Sequence, residues 1–261
     1  MEYIDTHTHL YDERFDGDRG EAIGRATQAG VSRLFLPATD SASHGALIAL
    51  AKAYPARCYA MMGFHPTSAN DNPRWREELE LVARLLDEAP VPFYAIGETG
   101  LDLYWSRDFL REQEEALRFQ IELALSHDLP IVLHVREAFE ETIALLSDYR
   151  TRGLRGVFHS FAGTTDHYRR MRTLGDFRFG IGGVVTYKNA KLAPVVAEME
   201  LADLVLETDS PYLPPVPHRG ERNESAYLPL IATKIAELQG ISPETVAQTT
   251  TETALRLFRI E

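Results

Sequence analysis

The sequence has a single cysteine and no long apolar run. Cys58 excludes an intrachain disulfide and, within one chain, a thiolate zinc cluster. Any metal must therefore use His and carboxylate ligands. The amino terminus lacks a basic segment followed by an apolar stretch, and no run of about 18 apolar residues occurs. We therefore expect a cytoplasmic protein without a membrane span.

The chain also has few basic residues relative to acidic ones. Its 27 Lys and Arg against 39 Asp and Glu give a net charge of −12. This sign opposes strong nonspecific binding to nucleic acid, which requires neutralisation of phosphates by Lys and Arg. It does not exclude a nucleic-acid substrate, because bound divalent cations can supply a positive field locally. We expect weak binding of such a substrate and chemistry confined to one site.

Short apolar runs alternate with longer amphipathic segments along the chain, a pattern typical of a parallel α/β sheet. Eight strands are predicted, at Tyr3–Asp5, Arg33–Leu36, Cys58–Met62, Phe93–Gly97, Pro130–Leu133, Gly156–Phe158, Phe179–Ile181 and Leu204–Glu207. Helices are predicted between them at Asp18–Ala29, Ser43–Ala53, Pro73–Glu88, Phe109–Ser126, Arg136–Tyr149, Thr165–Leu174 and Asn189–Met199. Eight strands are the number of a single (β/α)8 TIM barrel, here a single domain spanning residues 1–261.

Two further helices close the chain. They are predicted at Ser225–Gln239 and Pro243–Phe258, and we expect both to pack outside the barrel. Ser242 is a suitable N-cap for the second, with Pro243 at its first helical position.

Metal-binding side chains lie where several apolar runs end. They are His7 and His9, Glu98, His134, His159, and the segment from Glu207 to Asp209. The carboxyl ends of the strands of a parallel barrel all open on one face, so distant residues can converge there. Six of these side chains could form one metal centre.

The individual motifs support this interpretation to different degrees. Alternation along a strand places His7 and His9 on the same side, although paired histidines can also be structural. Glu98 lies between glycines, which suits close approach of a ligand, and a carboxylate can bridge two ions. The alternative for Glu98 is a loop acid that caps a helix. Asp102 is a further candidate on the same grounds.

Asp209 offers a hard oxygen for a metal and a base for an attacking water. Glu207 lies two residues earlier and so would point to the same side of an extended strand. His65 also follows an apolar strand, where it could contact substrate or act as a general acid. The remaining candidates fall on predicted helices or loops and are assigned surface or packing roles; they are His44, His127 and His167.

In order and spacing, these motifs resemble the TatD family of metal-dependent hydrolases, within the amidohydrolase superfamily of barrels. The resemblance covers nearly the whole chain. It is carried by Asp5-Thr6-His7-Thr8-His9-Leu10, Gly63-Phe64-His65-Pro66, Gly97-Glu98-Thr99-Gly100-Leu101-Asp102, Leu133-His134, His159-Ser160-Phe161 and Glu207-Thr208-Asp209-Ser210-Pro211.

The resemblance implies a two-metal active site. One ion would be surrounded by His7, His9, Glu98 and Asp209. A second would be held by Glu98, His134 and His159, with Glu98 as the bridge. His65 matches a family histidine near the phosphate position, and Asp209 matches the residue that orients or deprotonates the attacking water.

The loop from Tyr212 to Gly220 resembles a branch of the family whose loop reads proline, histidine, arginine and glycine. We therefore assign Tyr212 and Arg219 to substrate binding, although Arg219 could equally be a solvated loop cation. Arg136 and Lys188 are similar candidates.

The resemblance implies a 3′-5′ exodeoxyribonuclease that cleaves DNA phosphodiester bonds with two divalent ions, Mg²⁺, Mn²⁺ or Zn²⁺. One alternative is a D-aminoacyl-tRNA deacylase or another ester or amide hydrolase, because the same activated water could attack either centre. Discrimination between such substrates would lie in the loops around His65, Tyr104-Trp105 and Arg219, because exposed aromatic rings can stack unpaired bases. The other alternative, a non-catalytic metal-binding scaffold, is opposed by the intact ligand set. We favour a monomer.

Overall fold

Residues 1–260 are described by a computed structural model, in which parallel strands follow one another in chain order around a barrel. The strands are β1 Tyr3–Asp5, β2 Val31–Pro37, β3 Cys58–Met62, β4 Phe93–Asp102, β5 Ile131–Arg136, β6 Arg155–His159, β7 Asp176–Ile181 and β8 Leu204–Leu206. The last strand meets the first where the Thr6 N–H donates to the Leu206 carbonyl at 3.0 Å. A parallel bridge joins Thr8 to Ser210 just beyond. The predicted TIM-barrel fold is confirmed.

Helices cover the outside of this barrel. They are α1 Arg19–Gln28, α2 Ser41–Ala53, α3 Trp75–Glu88, α4 Leu110–Ser126, α5 Phe139–Ser147, α6 Thr165–Met171, α7 Leu192–Glu198, α8 Leu228–Gln239 and α9 Pro243–Phe258. The apolar residues between the strands and these helices form the larger of two buried clusters. No helix within residues 1–260 is both long and apolar enough to cross a membrane.

The last helix corrects one expectation. Ser242 caps α9 as predicted, accepting the Thr245 N–H at 3.1 Å. The helix does not lie alongside the barrel, however, but closes its amino-terminal end. Its Phe258 ring lies 4.1 Å from Phe35 of β2, within a second buried cluster of inward-facing strand residues. The barrel is therefore plugged at one end and open only at the other.

Several element boundaries differ from the prediction, and two of the differences bear on the site. β4 extends past Gly97 to Asp102, because its second half pairs with β5 from Thr99 onward. This extension places Glu98 inside a strand and removes the alternative of a helix-capping loop acid. Helix α5 begins at Phe139 rather than Arg136, since Arg136 still pairs in β5 and Glu137 has a φ of 54°.

Candidate metal centre and active site

The open, carboxyl-terminal end of the barrel contains a cavity of about 760 Å³. Side chains that can bind metal or transfer protons form its floor: His9, His65, Glu98, Asp102, His134, His159 and Asp209. His7 is fully buried beneath them. The structure thus brings together every residue that the sequence nominates as a ligand, while their role as ligands stays a prediction.

Glu98 occupies the centre of this floor, and its two oxygens face different imidazoles. Oε2 lies 3.1 Å from His7 Nε2 and 3.7 Å from His9 Nε2. Oε1 lies 3.0 Å from His134 Nδ1 and 3.8 Å from His159 Nε2. This arrangement is the one that a carboxylate shared between two neighbouring cation sites requires.

Asp209 completes one side of the cluster. Its Oδ1 lies 3.4 Å from His9 Nε2, 4.0 Å from His7 Nε2 and 3.8 Å from His159 Nε2. Asp209 has a φ of 56°, an uncommon conformation for a residue with a side chain. Its N–H donates to the His7 carbonyl at 2.9 Å, which ties it to the end of β1.

A buried carboxylate fixes the junction between β1 and β8. Asp5 accepts hydrogen bonds from the His7 N–H and from both the N–H and the hydroxyl of Thr208. The Thr8 and Ser210 hydroxyls lie 2.6 Å apart across the same junction. These bonds hold the His7-x-His9 pair and Asp209 in a fixed relation, although the two segments are about two hundred residues apart in sequence.

Three of the imidazoles contact a second group on the ring nitrogen that faces away from Glu98. His9 Nδ1 donates to the Tyr11 oxygen at 2.9 Å, because the Tyr11 hydroxyl proton is directed at the Pro37 carbonyl. His134 Nε2 lies 2.8 Å from Asp102 Oδ2. His159 Nδ1 lies 3.0 Å from a carboxylate oxygen of Glu207.

Such outer partners fix the tautomer of a metal-binding imidazole and leave the inner nitrogen's lone pair free. The sequence predicted Asp102 only as a weaker candidate, and Glu207 as part of the strand-end segment and for the parity it shares with Asp209. Their contacts with His134 and His159 were not predicted. Tyr11 was missed altogether, and nothing in its sequence context indicates it.

His65 differs from the other imidazoles of the cluster. Its Nδ1 accepts the Thr67 N–H at 3.2 Å, so the proton of the neutral ring lies on Nε2. Nε2 lies 3.3 Å from Glu98 Oε1. The ring therefore presents an N–H to the cavity, as a substrate contact would, rather than a lone pair for a metal.

Charges within the cluster are strongly coupled. Burial would raise the pKa of Glu98, but the surrounding imidazoles of His65, His7 and His159 hold it well below its usual value. Burial, reinforced by His159, lowers the pKa of His7 to about 4. Burial would lower the pKa of His159 as well, yet Glu207 and Glu98 raise it to about 10.

Two more groups of the floor follow the same physics. Burial would raise the pKa of Asp209, but its contacts with His9 and His159 keep it below the usual value. Burial would lower the pKa of His134, but Asp102 and Glu98 raise it. The carboxylates of the floor are therefore held in their ionised form.

The donor set fits a divalent cation. His7 Nε2 and His9 Nε2 lie 3.3 Å apart. Because His9 Nδ1 donates to Tyr11, the neutral His9 ring has a lone pair on Nε2 that can bind a cation. His7 Nδ1 is buried without a hydrogen-bond partner. Imidazole nitrogens and carboxylate oxygens facing one another in this way suit Zn²⁺ or Mn²⁺, and the oxygens also suit Mg²⁺. The groups whose donor atoms lie within 4.8 Å of one another are His7, His9 and Glu98; His7, His159 and Asp209; and His65, Glu98 and His134.

The candidate substrate-binding residues lie at the rim or beyond it. Tyr212 lines the cavity and is 43% exposed, with the Arg14 guanidinium over its ring. Arg136 also lines the cavity. Arg219 lies outside the lining, with its guanidinium 3.8 Å from the centre of the Tyr187 ring. Lys188, which follows Tyr187 in the sequence, is exposed.

The histidines assigned surface or packing roles lie outside the cavity lining in the described part of the chain. His44 packs inside the protein rather than lying on its surface, because it is only 5% exposed within α2. His167 stacks on Phe139 with ring centres 4.4 Å apart, and His127 follows the end of α4.

Comparison with known proteins gives a consistent result. The model of the family described as TatD related DNase matches residues 4–259. The chain is 38% identical to YabD of Bacillus subtilis, an uncharacterized metal-dependent hydrolase, covering 98% of this chain and 99% of YabD. It is 32% identical to the 3′-5′ ssDNA/RNA exonuclease TatD of Pectobacterium carotovorum, and the match covers 98% of this chain and 99% of that protein. The crystal structure of YjjV, a TatD homologue from Escherichia coli K12, matches with a TM-score of 0.90 and 31% identity over 99% of this chain and 98% of YjjV.

Proposed function

The chain belongs to the TatD family of metal-dependent hydrolases, and we propose that it is an exonuclease that removes nucleotides from the 3′ end of single-stranded DNA. The observation that carries this proposal is the convergence of His and carboxylate groups on the floor of a cavity open to solvent. A relative of similar length is named a 3′-5′ ssDNA/RNA exonuclease, which supports the choice of substrate and direction.

Two adjacent cation sites are proposed, sharing Glu98. The first would use His7, His9, Glu98 and Asp209, and the second Glu98, His134 and His159. Divalent cations held by these residues would lower the pKa of water, offset negative charge on a phosphate and supply local positive charge in a protein whose net charge is −12.

The chain's own residues supply the remaining parts of the reaction. The Asp209 backbone N–H donates to the His7 carbonyl and fixes the residue at the edge of the cluster. Its carboxylate can there accept a proton from the attacking water. His65 presents an N–H that can donate to a phosphate oxygen. The water oxygen forms the new bond to phosphorus, the bond from phosphorus to the leaving sugar oxygen breaks, and that oxygen takes up a proton from solvent.

The proposal is tested with single-stranded DNA labelled at either end, single-stranded RNA and a D-aminoacyl-tRNA. Metal-stripped protein is reloaded separately with Mg²⁺, Mn²⁺ or Zn²⁺. We expect immediate release of the 3′-terminal nucleotide and a ladder of shortened 5′-labelled products. Asp209→Ala should remove both signals, whereas Glu252→Ala, an exposed acid on α9, should leave them intact.

Two results would contradict the proposal. Release of the amino acid from tRNA without cleavage of DNA would assign the site to ester hydrolysis. A ladder that begins with loss of the 5′ label would reverse the direction.

A further inference from the structure

An aromatic pair stands exposed at the mouth of the cavity, on the segment that follows β4. Tyr104 is 53% exposed and Trp105 is 68% exposed. Trp105 lines the same cavity as Glu98 and His134. Large aromatic side chains are usually well buried, so a tryptophan this exposed at the edge of an active-site cavity indicates a binding surface.

The pair is backed by a cation. The Arg136 guanidinium lies 3.7 Å from the centre of the Tyr104 ring and 5.7 Å from that of Trp105. The two rings meet edge to face, with centres 5.0 Å apart. Within residues 1–260 Arg136 forms no ion pair with a carboxylate, so its charge is available to a phosphate.

The backbone that carries Tyr104 and Arg136 is hydrogen-bonded beside the proposed metal centre. Asp102 Oδ1 accepts the Tyr104 N–H at 3.0 Å, while the other oxygen of the same carboxylate contacts His134. The Leu103 N–H donates to the Arg136 carbonyl at 2.9 Å. The buried side chain of Gln113 bonds both the N–H and the carbonyl of Asp102.

On the basis of the proposed function, we infer that Trp105, supported by Tyr104 and Arg136, forms a stacking site for one unpaired base of the bound strand. A flat ring beside a free guanidinium matches a nucleotide, whose base offers a π-face and whose phosphate offers a negative charge. A base inside a duplex is already stacked on both faces, so the site would select single strands. Because stacking tolerates every base, it supplies affinity without sequence preference.

The test compares Trp105→Ala with wild type on single-stranded DNA oligomers, using Mn²⁺-loaded protein. One oligomer is complete, and four others each carry an abasic sugar at one of the last four positions. We expect Trp105→Ala to reduce kcat/KM on the complete strand by about 5- to 150-fold, the range for stacking of one base. At one abasic position the variant and wild type should be equal.

Two variants serve as controls. Trp105→Phe keeps a flat ring and should recover most of the activity. Tyr54→Ala removes an aromatic residue that is 36% exposed at the end of α2, just before β3 and so at the opposite end of the barrel. It should behave as wild type.

A binding measurement gives an independent readout. Trp75 and Trp105 are the only tryptophans in the sequence, so Trp75→Phe leaves Trp105 as the sole indole emitter. A hydrolysis-resistant phosphorothioate oligomer should quench its fluorescence in the metal-loaded protein, and an oligomer without bases should not.

The outcomes separate this inference from the proposed function. If wild type degrades DNA but Trp105→Ala loses nothing, or loses equally on complete and abasic strands, the stacking site is wrong and the nuclease stands. If wild type degrades no nucleic acid, the proposed function fails and the stacking site fails with it.

Discussion

Asp102 Oδ2 lies 2.8 Å from His134 Nε2, on the opposite side of the imidazole from Glu98. The contact holds a proton on Nε2, which leaves Nδ1, on the side of Glu98, as the nitrogen that would bind an ion. Asp102 therefore acts through His134, as a positioning residue for the proposed second cation site.

We expect Asp102→Asn to weaken metal binding by about 10- to 100-fold, the effect typical of removing the outer partner of a metal-binding imidazole. The amide can still accept the Tyr104 N–H, so the loop should stay in place. Metal affinity is measured by competition with a chromophoric chelator. Asp108→Asn on the same exposed loop is the matched control. Equal affinities for the two variants would show that Asp102 does not position His134.

Glu98→Ala and Asp209→Ala should abolish hydrolysis while leaving the barrel folded. Glu98 is the group shared by the two proposed sites, and loss of a proton acceptor such as Asp209 costs about 10²- to 10⁴-fold in rate. Turnover is measured together with circular dichroism and the midpoint of thermal unfolding. Glu252→Ala, which changes an exposed acid on α9, serves as the control. A variant that keeps wild-type turnover removes its residue from the mechanism.

Removal of metal should inactivate the protein and lower its thermal stability. The folded protein holds the donor groups together, whereas the unfolded chain does not. Each ion present at 100 times its Kd should therefore raise the free energy of unfolding by about 2.7 kcal/mol. Calorimetry of metal-stripped and reloaded protein measures the change in unfolding midpoint. An unchanged midpoint on reloading, with metal content confirmed by elemental analysis, would argue against both sites.

Gly100→Ala should disturb the site through the backbone. Gly100 has a φ of 138°, and a Cβ there would lie 2.0 Å from the carbonyl oxygen of His134. Forcing such a conformation costs about 1–3 kcal/mol before any clash is counted. Gly45→Ala, in an exposed position of α2 with open space around it, should instead stabilise the protein by about 0.5–1 kcal/mol. Urea unfolding separates the two, and equal effects would contradict this account of Gly100.

The barrel was predictable because its strands are short apolar runs punctuated by helices. The position of the site was predictable because parallel strands open on one face, so the ends of β1, β4, β5, β6 and β8 had to meet. The second partners of the imidazoles were not predictable from strand ends. The Tyr11 hydroxyl that contacts His9 Nδ1, for example, is oriented by its own hydrogen bond to the Pro37 carbonyl on β2. Nor could periodicity show that α9 plugs the barrel, because its apolar face would fit an outer surface equally well.

The central claim is that the side chains around Glu98 form two adjacent cation sites. Its most direct test is an anomalous-difference map from a crystal of Mn²⁺-loaded protein. The account predicts two peaks, one among His7, His9, Glu98 and Asp209 and the other among Glu98, His134 and His159. Absence of both peaks from this cluster, or strong peaks only elsewhere in the molecule, would contradict it.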